Sequence, residues 1–405
     1  MLFRAAISPP WIPLARFASD TPVEAWLMLW GFVVLTLALG LLQPFPTGFD
    51  ELQHLSYLRW MQEAPTLLPA QGAMAVLDLN GLDRWTGERN HLNHPSFYYL
   101  FLGAVTPADL GVLPLRALNV VLAGAAAALT IHAGCRLLSG RTERILFALA
   151  ALSFPKAAVI GGTINNDNLA ALAGAMLFAG LVGLTGGVWW IAAALAIAGW
   201  TKLNALIALG TAAGLWLLLT RERRLQNWVV IAAGAAIGCV PTLLNLLTIG
   251  SLLWVDEARF FVAPAERPDL DLAGYGRFFF EMFSAKWAAA EYAAPAWLCF
   301  GLLLVPFGLA FLGSRSGKPR LLSAYGAAFG ATLAVHFWFG WQSYLGIGDL
   351  SIAQPRYYAV LWPGLSVGIA LGIARLWTVS RPAGAAGILA LIWPTALGGI
   401  VVAAF

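Results

Sequence analysis

The sequence predicts an all-α polytopic membrane protein with about eleven transmembrane helices and interfacial helices in its first long loop. Three observations carry that expectation. Of the 405 residues, 60% are hydrophobic and 11% charged, and apolar runs long enough to cross a bilayer recur along the whole chain. Lysine and arginine gather in the short loops of one side. Acidic residues gather in two long loops, 43–116 and 248–294. Neither long loop has the periodic apolar pattern of an independent core, so residues 1–405 are expected to form one transmembrane domain. Cys135, Cys239 and Cys299 fall in or at the ends of apolar runs and read as small buried residues, not as a disulfide or metal framework. The net charge of +4 is a topology signal, and no nucleic-acid partner is expected.

The first apolar run, 22–42, follows Arg4 and Arg16. It is longer than a signal-peptide core and lacks a small-residue cleavage site, so it is expected to remain as helix one. The later spans are expected at 117–138, 145–162, 167–185, 188–201, 203–219, 228–247, 295–313, 321–340, 359–377 and 383–404. One further run, 94–106, would cover only about 20 Å as a helix, short of the roughly 30 Å of hydrocarbon. Its status sets the parity of everything after it. If it does not cross, the loops carrying Arg136/Arg141/Arg144, Arg221/Arg223/Arg224, Arg315/Lys318/Arg320 and Arg375/Arg381 all share a side with Arg4 and Arg16. If it crosses, those clusters face outward. The positive-inside rule therefore makes 94–106 interfacial or re-entrant, with a cytoplasmic N-terminus and both long loops extracytoplasmic, in the plasma membrane (the inner membrane of a bacterium). Of the acidic residues, only Asp20, Glu24, Glu143 and Glu222 then lie inside.

The stretch "PTGFDELQHLSYLRW", Pro46 to Trp60, sets two carboxylates and a histidine just after the first span. A helix starting there presents Asp50 and His54 on one face, at i and i+4. Structure alone explains the pattern too, since Thr47-x-x-Asp50 fits a capping box and acids suit a helix N-terminus. The company favours chemistry: Arg84, Trp85, Glu88, Arg89, His91 and His94 follow in the same loop. Asp50, Glu51, His54, His91 and His94 could also ligate a divalent metal, with His91-x-x-His94 at a ligand-like spacing. No His-Glu-x-x-His or cysteine pair supports that, and the expectation is no cofactor.

"FDELQHLSYLRW", "NHPSFYYLFLGAV" and an Arg-x-x-Asn entry to the next span (Arg116, Asn119) together resemble the GT-C superfamily. These are membrane glycosyltransferases that use polyprenyl-phosphate sugars, among them the protein O-mannosyltransferases and the aminoarabinose transferases of lipid A. "FPKAAVIGGTINNDNLAAL" and "PRYYAVLWPG" are similar to bacterial members as well. The resemblance implies that Asp50 is the catalytic base, with Glu51 beside it as the alternative base or as a partner that orients His54. It maps a His/Lys-Pro-Pro-Leu-Tyr-Tyr segment onto His94–Tyr99, including Tyr98, with Ser96 and Phe97 in place of Pro and Leu.

The implied reaction moves a sugar from a polyprenyl-phosphate donor in the lipid bilayer to a hydroxyl of a glycan, lipid or protein acceptor, with inversion. One carboxylate then suffices, provided cations stabilise the leaving phosphate. Lys202, at the turn between two short spans, and Arg356, beside Tyr357, are the candidate cations; snorkelling and an aromatic belt are their structural alternatives. His54 is a candidate partner of the carboxylate pair. Lys156 is expected to snorkel and Asp167 to cap its helix, and loop 248–294 to be a solvated face or a lid. The competing classes are a transporter or flippase of a lipid-linked intermediate, disfavoured by the absence of internal repeats, and a metal-dependent hydrolase. Labelling of intact cells from outside is expected to reach a cysteine placed at position 88 but not one at 223; the reverse result would sink this topology.

Overall fold

The structure, a computed structural model, describes residues 20–47, 50–70, 72–252, 257–288, 295–315 and 317–404. Arg4, Arg16, Asp256 and Glu291 lie outside them. Helix α1 is Val23–Leu42, close to the expected first span. The first long loop then builds α2 (Glu51–Glu63), a two-stranded antiparallel hairpin of β1 (Ala75–Asp78) and β2 (Gly81–Arg89), and α3 (Phe97–Val105). The hairpin corrects the all-α expectation. Its signal was the Asn80-Gly81 pair at the turn, where the Asp78 carboxylate accepts the Asn80 N–H at 2.9 Å. Nine residues make α3 about 14 Å long, too short to cross.

The remaining helices are α4 (Val112–Leu137), α5 (Arg141–Leu152), α6 (Ala157–Gly161), α7 (Asp167–Leu181), α8 (Gly187–Gly199), α9 (Leu203–Thr220) and α10 (Leu225–Ile249). After them come α11 (Glu257–Phe260), α12 (Leu272–Trp287), α13 (Ala296–Ser314), α14 (Pro319–Ile347), α15 (Trp362–Val379) and α16 (Arg381–Ala404). Short 3-10 turns occupy Pro264–Glu266 and Pro355–Leu361. Among the described residues, seven helices are long and apolar enough to cross a membrane. The protein is a multi-pass helical membrane protein.

Two differences from the expected spans shape the site. The single span expected at 145–162 is broken into α5 and α6, because Pro155 offers no N–H and Lys156 adopts a left-handed conformation at φ 61°. Helices α7 and α8, of 15 and 13 residues, reach only about 22 and 20 Å, shorter than the roughly 30 Å of hydrocarbon. A further helix, α12, lies in the loop expected to be a lid or solvated face; Phe279, Phe283 and Trp287 are buried along it. The first long loop has its own apolar cluster, but an incomplete one: Leu55, Leu58, Met74, Leu77 and Tyr99 close over Leu115 of α4 and Leu169 of α7.

Leu27, Trp30, Val34 and Leu41 form an exposed stripe along α1, as lipid-facing residues do. Helix pairs meet through small residues instead. In the α13–α15 contact, a Cβ on Gly372 would stand 2.0 Å from the Leu309 carbonyl oxygen, and one on Gly313 2.0 Å from that of Gly368. Gly372→Val is expected to cost about 1–3 kcal/mol by overpacking, read as a lowered melting temperature in detergent.

Candidate functional site

The site begins with the residues that set the start of α2. Arg116, one turn into α4, is buried with Glu51. Its Nε donates to Glu51 Oε1 at 2.8 Å and its Nη2 to Oε2 at 2.6 Å. The same guanidinium donates to the carbonyls of Gly40, Gln43 and Pro44 and to Thr47 Oγ1. Glu51 also accepts the backbone N–H groups of Thr47 (2.9 Å) and Ile164 (3.0 Å). The expected capping box is therefore not formed. Asp50 precedes α2 in the left-handed region, φ 61°, and its side chain makes no cap bond. Aspartate tolerates that conformation better than most residues, and such outliers gather at functional sites.

The Asp50 carboxylate turns instead to His91 Nε2 and Arg356 Nη2, each at 3.4 Å. Arg356, from the turn before α15, also lies with its Nε 3.6 Å from Asp167 Oδ2. Asp167 opens α7 and takes Lys202 Nζ at 2.5 Å on its other oxygen. Lys202 Nζ and Arg356 Cζ stand 5.5 and 5.8 Å from the centroid of the Tyr357 ring. Asn166 donates to the Thr201 carbonyl at 3.3 Å, tying the start of α7 to the residue before Lys202.

Burial separates the three carboxylates. The Asp50 side chain is 39% exposed, against 0% for Glu51 and 6% for Asp167. Of the three, Asp50 is the one open to solvent. Burial pushes its carboxyl up, but the hydrogen bond from His91 and the charge of Arg356 hold it well below the usual carboxylate range. His54 is brought down to about 3 by burial and by the charge of Lys202, and is neutral at neutral pH. His94 is lowered by the same causes.

The residues singled out from the sequence distribute unevenly. Asp50, Lys202, Arg356 and Tyr357 fall in one cluster, linked through Arg356 and Asp167. His54 lies one turn from Asp50, its Nδ1 2.8 Å from the Tyr99 hydroxyl and its ring 6.0 Å from that of His94. Glu51 faces Arg116, not His54. Tyr98 is buried and donates to Asn119 Oδ1 at 2.7 Å, joining the Asn168 amide there. Arg89 is exposed at the end of β2 and makes none of the ion pairs that define the cluster. The cap position of α7 falls to Asn166, not to Asp167 as expected, and Arg116 and Asp167 are the two charges of the site that were not expected from the sequence. Both are charges placed within or at the edge of apolar runs, a signal that marks function by default. Among the described residues no group of three or more His, Cys, Asp or Glu is arranged to hold a metal.

No protein-family model matches the chain, and no curated protein matches it. Among solved structures it is similar to the crystal structure of ArnT from Cupriavidus metallidurans bound to undecaprenyl phosphate, with 15% identity and a TM-score of 0.57. The match covers 89% of this chain and 62% of that one, so the chain spans less than two thirds of ArnT. The likeness is one of fold: the chain shares the helical architecture of that structure.

Removing one partner of an enclosed pair leaves an unpaired charge, so Arg116→Ala is expected to destabilise the protein by about 3–5 kcal/mol, visible as a lowered melting temperature. Arg84→Ala, which breaks the solvent-exposed pair with Asp78, should leave the melt nearly unchanged.

Proposed function

We propose that the protein is a membrane glycosyltransferase that moves a sugar from a polyprenyl-phosphate donor to an acceptor hydroxyl, with inversion, on the extracytoplasmic face. In this reading the N-terminus is cytoplasmic, the chain crosses about eleven times, and the acceptor is a glycan, lipid or protein. One observation carries it: the accessible Asp50 carboxylate stands 3.4 Å from Arg356, which shares Asp167 with the buried Lys202. The undecaprenyl phosphate bound in the ArnT crystal structure supports the choice of donor class.

The chemistry balances with these groups. The acceptor oxygen attacks the anomeric carbon as Asp50 takes its proton, and the bond from that carbon to the phosphate oxygen breaks. The lipid phosphate leaves with the electron pair and meets the charges of Arg356 and Lys202, so no general acid is required. A donor phosphate also competes with Asp50 for Arg356. As the guanidinium turns to the phosphate, Asp50 loses a charge that holds its pKa down and becomes a stronger base when the donor is in place. Glu51, enclosed by Arg116, serves to position this carboxylate.

Purified protein supplied with radiolabelled polyprenyl-phosphate sugars and candidate acceptors tests the reading. Asp50→Asn is expected to lower transfer by about 10²–10⁴-fold with an unchanged melting temperature; undiminished transfer would remove Asp50 as the base. Transfer is expected to survive EDTA, whereas movement of donor across vesicles without covalent transfer would favour the transporter class. On the acid side, kcat/KM should stay level down to about pH 5. Asp50 stays ionised below the ordinary carboxylate range and His54, at about 3, stays neutral throughout that window. An acid limb near about 6.5 would hand the base role to a histidine.

A further inference from the structure

His336, far inside α14, has no part in the scheme above, yet both of its ring nitrogens are engaged. Nε2 lies 2.7 Å from the Ile352 carbonyl and Nδ1 2.9 Å from the Tyr358 hydroxyl. A carbonyl can only accept, so Nε2 carries the proton, and Nδ1 accepts from the Tyr358 O–H. The two partners bracket residues 353–357, the segment that contains Arg356 and Tyr357. The imidazole also packs 5.3 Å from the Tyr357 ring, the ring over which Lys202 and Arg356 both lie. Phe279 and Phe283 close its other sides at 5.2 and 6.5 Å.

An apolar side chain would fill this aromatic surrounding without the desolvation that a polar group in a membrane span carries. What imidazole supplies and an apolar group does not is a donor and an acceptor on opposite edges of one rigid ring. That geometry ties two points of the chain, six residues apart, to one place on α14. We propose that His336 is the positioning residue for Arg356 and Tyr357, clamping the segment between Ile352 and Tyr358 so that the guanidinium reaches an anionic ligand. The proposal rests on the glycosyltransferase reading only for the identity of that ligand, the phosphate of a polyprenyl phosphate.

The test uses the full chain in lipid nanodiscs, with undecaprenyl phosphate as the probe, and compares His336→Phe, His336→Gln, Arg356→Ala and the His336→Phe/Arg356→Ala double variant. His336→Phe is expected to weaken binding about tenfold. Glutamine, whose amide can donate to Ile352 and accept from Tyr358, should restore most of it. In the Arg356→Ala background the phenylalanine change should cost nothing further; independent, additive losses would mean that His336 does not act through Arg356 and would overturn the proposal. Without any ligand, backbone hydrogen exchange over residues 352–358 should rise in His336→Phe and fall back in His336→Gln, and unchanged exchange would also overturn it. Should His336→Phe not fold, Tyr358→Phe removes one arm of the clamp and takes its place in the same comparisons. Folded wild-type protein that binds no undecaprenyl phosphate sinks the glycosyltransferase reading, while the exchange comparison still decides the clamp.

Discussion

The enclosed pair of Arg116 and Glu51 is the constraint on which the site depends. A guanidinium and a carboxylate taken out of water together recover their desolvation cost only if the remaining donors and acceptors are also met. Here they are met. Arg116 reaches three carbonyls and a hydroxyl beyond the carboxylate, and Glu51 takes two backbone N–H groups beyond the guanidinium. Those bonds tie together the end of α1, the loop after it, the start of α2, α4 and the turn at Ile164. Asp50, one residue before Glu51, has little freedom left. Its left-handed backbone is held from a neighbour that cannot move.

A second set of charges lies beside the first and is built differently. Asp50, Asp167, Lys202 and Arg356 balance in sign, but each ion pair beyond the tight one between Asp167 and Lys202 is long, at 3.4–3.6 Å. The Asp50–Arg356 pair, long and open on the Asp50 side, is cheaper to exchange for a charged ligand than the enclosed Arg116–Glu51 pair.

Long apolar runs were legible from the sequence because periodicity and length survive without knowledge of neighbours. Helices α1, α4, α9 and α13 begin and end within a few residues of where their runs do. Interactions between distant parts of the chain were not legible in this way. The hairpin of β1 and β2 was missed because its strands alternate weakly and only Asn80-Gly81 marks the turn. The break between α5 and α6 falls at Pro155-Lys156 inside an otherwise apolar run, where length and hydropathy alone predict one continuous span.

What the sequence determined by itself is the class of molecule and the neighbourhood of its chemistry. Sixty percent apolar composition requires lipid or a buried core around most of the chain, and the acids and histidines after the first span mark where a candidate site is to be sought. Which of two adjacent carboxylates faces outward was decided only by the tertiary structure. Asp50 and Glu51 are neighbours in a sequence that treats them alike. Their environments come from Arg116, 65 residues on from Glu51, and from Arg356, 306 residues on from Asp50. Local propensity carries no information about partners so distant, and the fold assigned one acid to an enclosed ion pair and left the other partly exposed beside Arg356.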